Sequence, residues 1–570
     1  MTMLLRGVLV LALLGASCSS STRCEARDTV LQDPQLWQAL ARTLDPEVKL
    51  PSPSCVLCGQ VADQVLDWFA EGLPRDELVN RTTALCAGSG RFPYHICYGV
   101  IDSYADMFYW IVEEKNRTGD PVTSNDFCGF ALYPDCPLQG PEYNWTLDLD
   151  FMGPKPPFQT PLPPPEGSPR LRVVQITDVH LDYRYVEGGN PFCGEPTCCR
   201  VDQGAPENAS DAAGYWGHYK CDMPVQTYSN LVQQAAVAHP KTYQDIRTFF
   251  PDVLVFPIFG NHEPHPLNVY SSGDWTEVPQ NVSQQWIYQL AADTWGAWLG
   301  PGITSTVMRA GYYSYLLRPD LLVIALNNNV CYNENWWLIY DSVDIGGQLV
   351  WLAQTLLQAE TAGQKVHLLM HIDSEFGGCF LPWWTEYRRI VDRFENIITG
   401  QFFGHTHSDR IKVFYALEDS NRPHLVSFSG GSGQPDDANT NYKVYYVDGD
   451  YAGSEYRVLD AESWYFNLTE ANLAGSAVPP NWQKLYSFNE AYGTTSMLPD
   501  ELDALVHRMA ANVTIQEQYF QFARRMADLV LVEGYCDEEC LHEYVCDIVE
   551  STPGKCDELP WATNPAPLVN

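Results

Sequence analysis

Gln401-Phe-Phe-Gly-His-Thr-His407 is an apolar run suited to a buried strand that stops at a glycine and then delivers two histidines one residue apart. The glycine permits a tight turn, and side chains just beyond it can point into a cavity with metal-binding nitrogens. Three other segments repeat the layout. Leu171 to Ile176 leads into Asp178-Val-His180, Val253 to Phe259 into Gly260-Asn-His-Glu263, and Val366 to Met370 into His371. Leu321 to Leu326 reads as a further strand, and Pro257 weakens the strand reading of its own segment. In α/β sheets the carboxyl ends of strands form the ligand crevice, so residues emitted there from several strands can converge. Taken alone, Asp-x-His is common and a single histidine such as His371 is more often a hydrogen-bonded structural residue. Recurrence in order makes Asp178, His180, Asn261, His262, His371, His405 and His407 one candidate site.

From Leu171 onward, short β-rich runs alternate with helical stretches, which predicts a layered α/β domain. Before it, Gly153 to Pro169 is too proline-rich for helix or sheet and suits a semi-rigid connector at a domain boundary. Earlier still, Cys55, Cys58, Cys86, Cys97, Cys128 and Cys136 sit among helix-like segments, Gly59 to Glu71 and Tyr98 to Glu114. A Cys-x-x-Cys pair can be a zinc half-site or a redox motif, but no second close pair completes a tetrahedral site, and disulfide staples are the better reading. From about Leu498 the chain reads as amphipathic helix and then carries Cys536, Cys540, Cys546 and Cys556, a stapled helical cap.

With 570 residues and 45% hydrophobic composition the chain should bury a large core in more than one domain. Arg6, the apolar run Gly7 to Gly15 and the small residues to Ser21 predict a signal peptide over about residues 1–24. No later apolar stretch is long enough to span a bilayer, so the mature chain is expected to be secreted, lysosomal or both. The 18 cysteines and the sequons at Asn80, Asn116, Asn144, Asn208, Asn281, Asn467 and Asn512 agree with an oxidising, glycosylating route. A formal charge of -37 argues against nucleic acid and, at neutral pH, against anionic membrane. Acid would reduce that charge and ease approach to lipid, although simple solubility explains it equally well.

The motifs in this order, with Cys198-Cys199 and Gly214-Tyr-Trp-Gly217, resemble the calcineurin-like metallophosphoesterase superfamily. The first six cysteines resemble a saposin-type domain, and the combination resembles the acid sphingomyelinase family. That resemblance implies a four-layer α/β/β/α catalytic domain over 170–460. It would follow a helical, lipid-engaging module over 51–140 and the 153–169 connector, with a helical, stapled region over 461–570. It implies the disulfides Cys55–Cys136, Cys58–Cys128, Cys86–Cys97, Cys193–Cys198, Cys199–Cys221, Cys331–Cys379, Cys536–Cys540 and Cys546–Cys556, leaving Cys18 and Cys24 near the signal peptide. It implies two zinc ions, one held by Asp178, His180 and His407, the other by Asn261, His371 and His405. His262 would protonate the leaving alkoxide as sphingomyelin is split at a membrane surface, with a monomer favoured. The donor types themselves also suit manganese or iron.

Several segments depart from the family pattern. The expected Gly-Asp motif, whose aspartate bridges the metals, is missing between Cys221 and Gly260, where the carboxylates are Asp222, Asp245 and Asp252. A strand and its loop are missing around Ala238 to Lys241. His371 is followed by Ile-Asp-Ser-Glu-Phe-Gly-Gly, and Ser429-Gly-Gly-Ser-Gly433 replaces the usual segment; Asp373 or Glu375 is a candidate replacement charge. Two further readings therefore stand: a catalytically impaired, lipid-binding relative, or a phosphodiesterase for another phospholipid or a nucleotide.

Overall fold

The computed structural model describes residues 52–90, 92–133, 135–237, 253–373, 378–528 and 536–561. The expected signal peptide, Cys18 and Cys24, the departure around Ala238 to Lys241, and Glu375 all lie outside the described residues.

The N-terminal module is built from α1 (Pro53–Ala70), α2 (Arg75–Gly88), α3 (Tyr94–Thr118) and α4 (Ser124–Ala131). Helix α1 starts ahead of the predicted Gly59 because Pro53 occupies its first turn and the Ser52 hydroxyl accepts the Cys55 N–H at 3.1 Å. Helix α3 runs four residues past the predicted Glu114 and stops at Gly119, which takes φ 84°. Cys55–Cys136, Cys58–Cys128 and Cys86–Cys97 staple the module. No helix of the described residues is long and apolar enough to cross a membrane.

Two sheets follow. The first carries β1 (Arg170–Gln175), β8 (Asn441–Asp448), β9 (Val458–Tyr465) and β10 (Gln483–Ser487), all antiparallel in the order β1-β8-β9-β10. The second contains β2 (Tyr313–Arg318), β3 (Leu321–Ala325), β4 (Lys365–Leu369), β5 (Ile398–Phe403), β6 (Asp409–Ala416) and β7 (Asp419–Gly430). Its order is β2-β3-β4-β5-β7-β6, with β3, β4, β5 and β7 parallel and antiparallel strands at both edges. The strand predicted over Val253 to Phe259 is a correction, since no strand forms there. Pro257 lacks an N–H, and the segment's carbonyls are taken by side chains instead: Tyr313 donates to Pro257 at 2.9 Å and Asn329 to Phe259 at 2.8 Å. Strand β9 straddles the boundary expected at residue 460, so the first sheet continues into the region expected to be helical.

Burial makes these elements four layers. Phe402 and Phe428 of the second sheet meet Tyr445 of the first at ring distances of 5.1 and 5.5 Å, filling the space between sheets. Beyond the first sheet, Leu231, Val232 and Ala235 of α5 (Val225–Val237) cover Tyr442 and Val444. Helix α6 (Gln285–Leu299) packs Tyr288 and Trp295 around Phe259. Beyond the second sheet, Leu352 and Leu356 of α7 (Gln348–Thr361) and Trp383 and Tyr387 of α8 (Leu381–Arg393) cover Ile324, Val366 and Leu368. Each such buried side chain contributes about 1.5–3 kcal/mol. The tail adds α9 (Pro499–Ala510), α10 (Val513–Ala523) and α11 (Glu538–Val549), with Leu502, Leu505, Tyr519 and Val545 in the inter-sheet core.

The N-terminal module docks through α3. Phe108 and Trp110 lie 5.4 and 5.7 Å from Trp336 and Trp337, and Tyr104 donates to the Leu267 carbonyl at 2.8 Å. The connector is bound as well: Lys155 bonds Asp392 at 2.7 Å, and Asn396 accepts from the Gln159 N–H at 2.8 Å.

Candidate metal centre

Strand β1 ends at Gln175, and the chain turns so sharply that Asp178 and His180 take φ of 48° and 43°. After β5, His405 and His407 likewise take φ of 70° and 53°. Left-handed backbone at non-glycine residues costs about 1–3 kcal/mol each and persists where the surroundings impose it. The imposing bonds are visible: Met223 N–H on the His180 carbonyl, Gly433 N–H on Thr177 and Gln434 N–H on Asp178, at 2.8–3.0 Å. Thus the Ser429 to Gly433 segment, unusual in sequence, pins the Asp178 turn. Gly404 is required because a Cβ there would lie 2.3 Å from Thr177 Oγ1 and 2.6 Å from Asp178 Oδ2.

All the candidate ligands converge in two groups. Asp178, His180 and His407 place one ligand atom each within 4.8 Å of one another. Asn261 Oδ1 lies 2.8 Å from His371 Nε2 and 3.3 Å from His405 Nδ1. Asp178 joins the groups, its Oδ1 being 3.5 Å from His407 Nε2 and 3.8 Å from His371 Nε2. Neither distance makes a well-formed hydrogen bond, and no described group donates to this buried oxygen. A buried carboxylate oxygen left between imidazole nitrogens fits a cation, and the mixed set of imidazole, carboxylate and amide suits a divalent transition metal. His262 stands beside the first group, its ring 4.0 Å from that of His180.

Supporting residues that the sequence did not flag complete each group. His407 Nδ1 meets Asp436 Oδ2 at 2.9 Å, held the way outer carboxylates orient metal-binding histidines, and Asp222 lies farther from His180 Nδ1, at 3.8 Å. On the other side Asn261 Nδ2 donates to Asn268 at 2.9 Å and Asn268 to Glu334 at 2.7 Å, which turns the Asn261 amide oxygen toward the imidazoles. Asp436 follows a proline in a polar loop and Glu334 lies in an aromatic stretch, so neither carried a motif.

Burial opposes charge throughout the site. It opposes ionisation of Asp178, yet the imidazoles of His371, His407 and His180 hold that carboxyl well below its usual range. Burial lowers His180 and His371 to about 3 and His262 well below the ordinary imidazole value, His180 adding to the last. His407 is the exception: Asp178 and Asp436 overcome burial and raise it to about 9. Burial lifts Asp222 to about 6.

Asp373, a candidate replacement charge, faces Lys412 at 3.8 Å, and Lys412 also bonds Asp547 and Glu550 at 2.6 and 3.1 Å. The second buried trio capable of holding a metal, Asp392, Glu395 and His424, is filled by the cations of Lys155 and Arg422 and acts as an ion-pair clamp. Among the described residues the remaining cysteines pair as Cys193–Cys198, Cys199–Cys221, Cys331–Cys379, Cys536–Cys540 and Cys546–Cys556. Asn80, Asn116, Asn144, Asn208, Asn281 and Asn512 are exposed, whereas Asn467 is half-buried and caps a short helix.

A family model described as the acid sphingomyelin phosphodiesterase C-terminal region matches residues 436–552, beginning at the aspartate that bonds His407. The chain is 36% identical to sphingomyelin phosphodiesterase of Bos taurus over 75% of its own length and 71% of the relative's. The chain belongs to the sphingomyelin phosphodiesterase family. The Homo sapiens relative of that name is 36% identical over 75% of this chain and 70% of its own, and sphingomyelin phosphodiesterase 2 of Caenorhabditis elegans is 27% identical over 87% and 86%. For a sphingomyelin phosphodiesterase family member, the two convergent groups form the candidate site for its chemistry.

Proposed function

We propose that the chain hydrolyses sphingomyelin to ceramide and phosphocholine, using two zinc ions held by Asp178, His180 and His407 and by Asn261, His371 and His405. The observation that carries this reading is the buried Asp178 Oδ1 between both imidazole groups, set on a chain of this family. What such ions supply when bound is neutralisation of phosphodiester charge and a water acidic enough to attack phosphorus. Asp436 directs the His407 Nε2 inward, and Asn268 does the same for the Asn261 oxygen. As the bond from phosphorus to the ceramide oxygen breaks, His262 gives that oxygen its proton. Burial disfavours the imidazolium this requires, which suits work in an acidic compartment. The proposal has the chain work in the lysosome, outside the cell, or both, in line with the signal-peptide reading of its N-terminus and its sequons, and as a monomer. The disulfide-stapled helices of residues 51–140 would engage the bilayer and offer lipid to the site.

The test is phosphocholine release from sphingomyelin vesicles at acidic pH by the secreted protein. Release that a chelator abolishes, zinc restores and His262→Ala removes is the expected result. Well-folded protein that releases nothing under any metal condition would be a lipid-binding relative without turnover.

A further inference from the structure

We propose that Asn328 is a positioning residue for the second metal position, acting by clamping the backbone that carries His371. Asn328 opens a short turn, Asn328–Cys331, just after β3, and its side chain is fully buried. Its Oδ1 accepts the His371 N–H at 3.0 Å and the Ile372 N–H at 3.1 Å, while its Nδ2 donates to the Ile372 carbonyl at 2.6 Å. The pairing of β3 with β4 ends at Ala325 and Leu369, so the sheet gives these later groups no partner on the β3 side. One amide replaces the missing ladder, bonding two consecutive residues at the point where the imidazole leaves the strand.

The same turn reaches the facing loop. Asn329 Nδ2 donates to the Phe259 carbonyl at 2.8 Å, two residues before Asn261. The Cys331–Cys379 disulfide ties the turn to the far side of the His371 loop. Adjacent asparagines thereby fix the spacing of His371 and Asn261, whose ligand atoms meet at 2.8 Å. The first group has no such clamp from this turn, so loss of Asn328 should act on one metal position and spare the other.

The inference rests on the two-metal reading above. The experiment uses the full secreted protein, stripped by chelator and reloaded with zinc, reading zinc per chain by elemental analysis and melting temperature with and without zinc. Unaltered protein should hold two ions. Asn328→Ala should keep one and lose the other on dialysis, with second-site affinity down about 10–100-fold and kcat falling more than KM. Asn328→Asp keeps an acceptor for both N–H groups and lacks the donor to Ile372, so it should lose about threefold to tenfold; if the alanine variant does not fold, this variant decides. The control is Asn396→Ala, which removes a buried amide bonded to the connector at Pro157 and Gln159 and should keep two ions.

Unchanged second-site affinity in Asn328→Ala or, failing its folding, in Asn328→Asp overturns the inference. Equal loss in Asn396→Ala does so too, because loss would then follow general destabilisation. Unaltered protein that holds no zinc removes the metal reading and this inference with it, whereas two ions in both unaltered and Asn328→Ala protein sink this inference alone.

Discussion

The two ligand groups are built side by side but held by different means. Around Asp178, His180 and His407 the support is a carboxylate, Asp436; around Asn261, His371 and His405 the supports are amides, Asn268 and Asn328, with Glu334 behind. The first group carries His407, the ligand histidine that carboxylates raise. The second is held by amides.

The largest expected effect removes what both share. Asp178→Ala should lower phosphodiester hydrolysis by more than about a hundredfold, beyond the range for a supporting residue, and should lower zinc content at both positions. Retention of one tight ion would show that the groups are independent. Next, Asp436→Asn should weaken zinc at the first position alone by about 10–100-fold, read by competition with a chelating dye.

pH separates His407 from His180 and His371 in metal-free protein. The folded state raises His407 to about 9, so its charged contact with Asp178 and Asp436 stabilises fully below an unfolded value of about 6.5 and is lost as pH rises through 9. His180 and His371, one in each group, behave oppositely: burial lowers each to about 3, so stability falls as pH drops below about 6.5, where the unfolded chain alone takes the proton. Melting temperatures of chelated protein should decline on both sides, and Asp436→Asn should flatten the alkaline limb. The smallest effect is Asn268→Ala, which strands buried polar atoms of Asn261 and Glu334 and should cost about 1–3 kcal/mol in denaturant unfolding.

Much of the site could be read from the sequence because its residues come from short motifs, at a strand end for Gly404-His-Thr-His407 and after a strandless segment for Asn261. What could not be read comes from elsewhere in the chain. Asp436, Asp222, Asn268, Glu334 and Asn328 reach the ligands through tertiary packing, and an asparagine after a strand carries no spacing rule. Helices α1 and α3 were readable from apolar spacing, but capping by Ser52 and Gly119 set their ends. Val253 to Phe259 looked like a strand by composition, and its proline sends the hydrogen bonding to side chains instead.

The bound connector has a kinetic meaning. Lys155 and Gln159 are held against α8 and the turn that follows it, so the helices that dock through Phe108 and Trp110 start their search already nearby. Each docking event is intramolecular, at an effective concentration on the order of millimolar. The same helices supplied as a separate chain would have to be added at about that concentration to occupy the surface as fully.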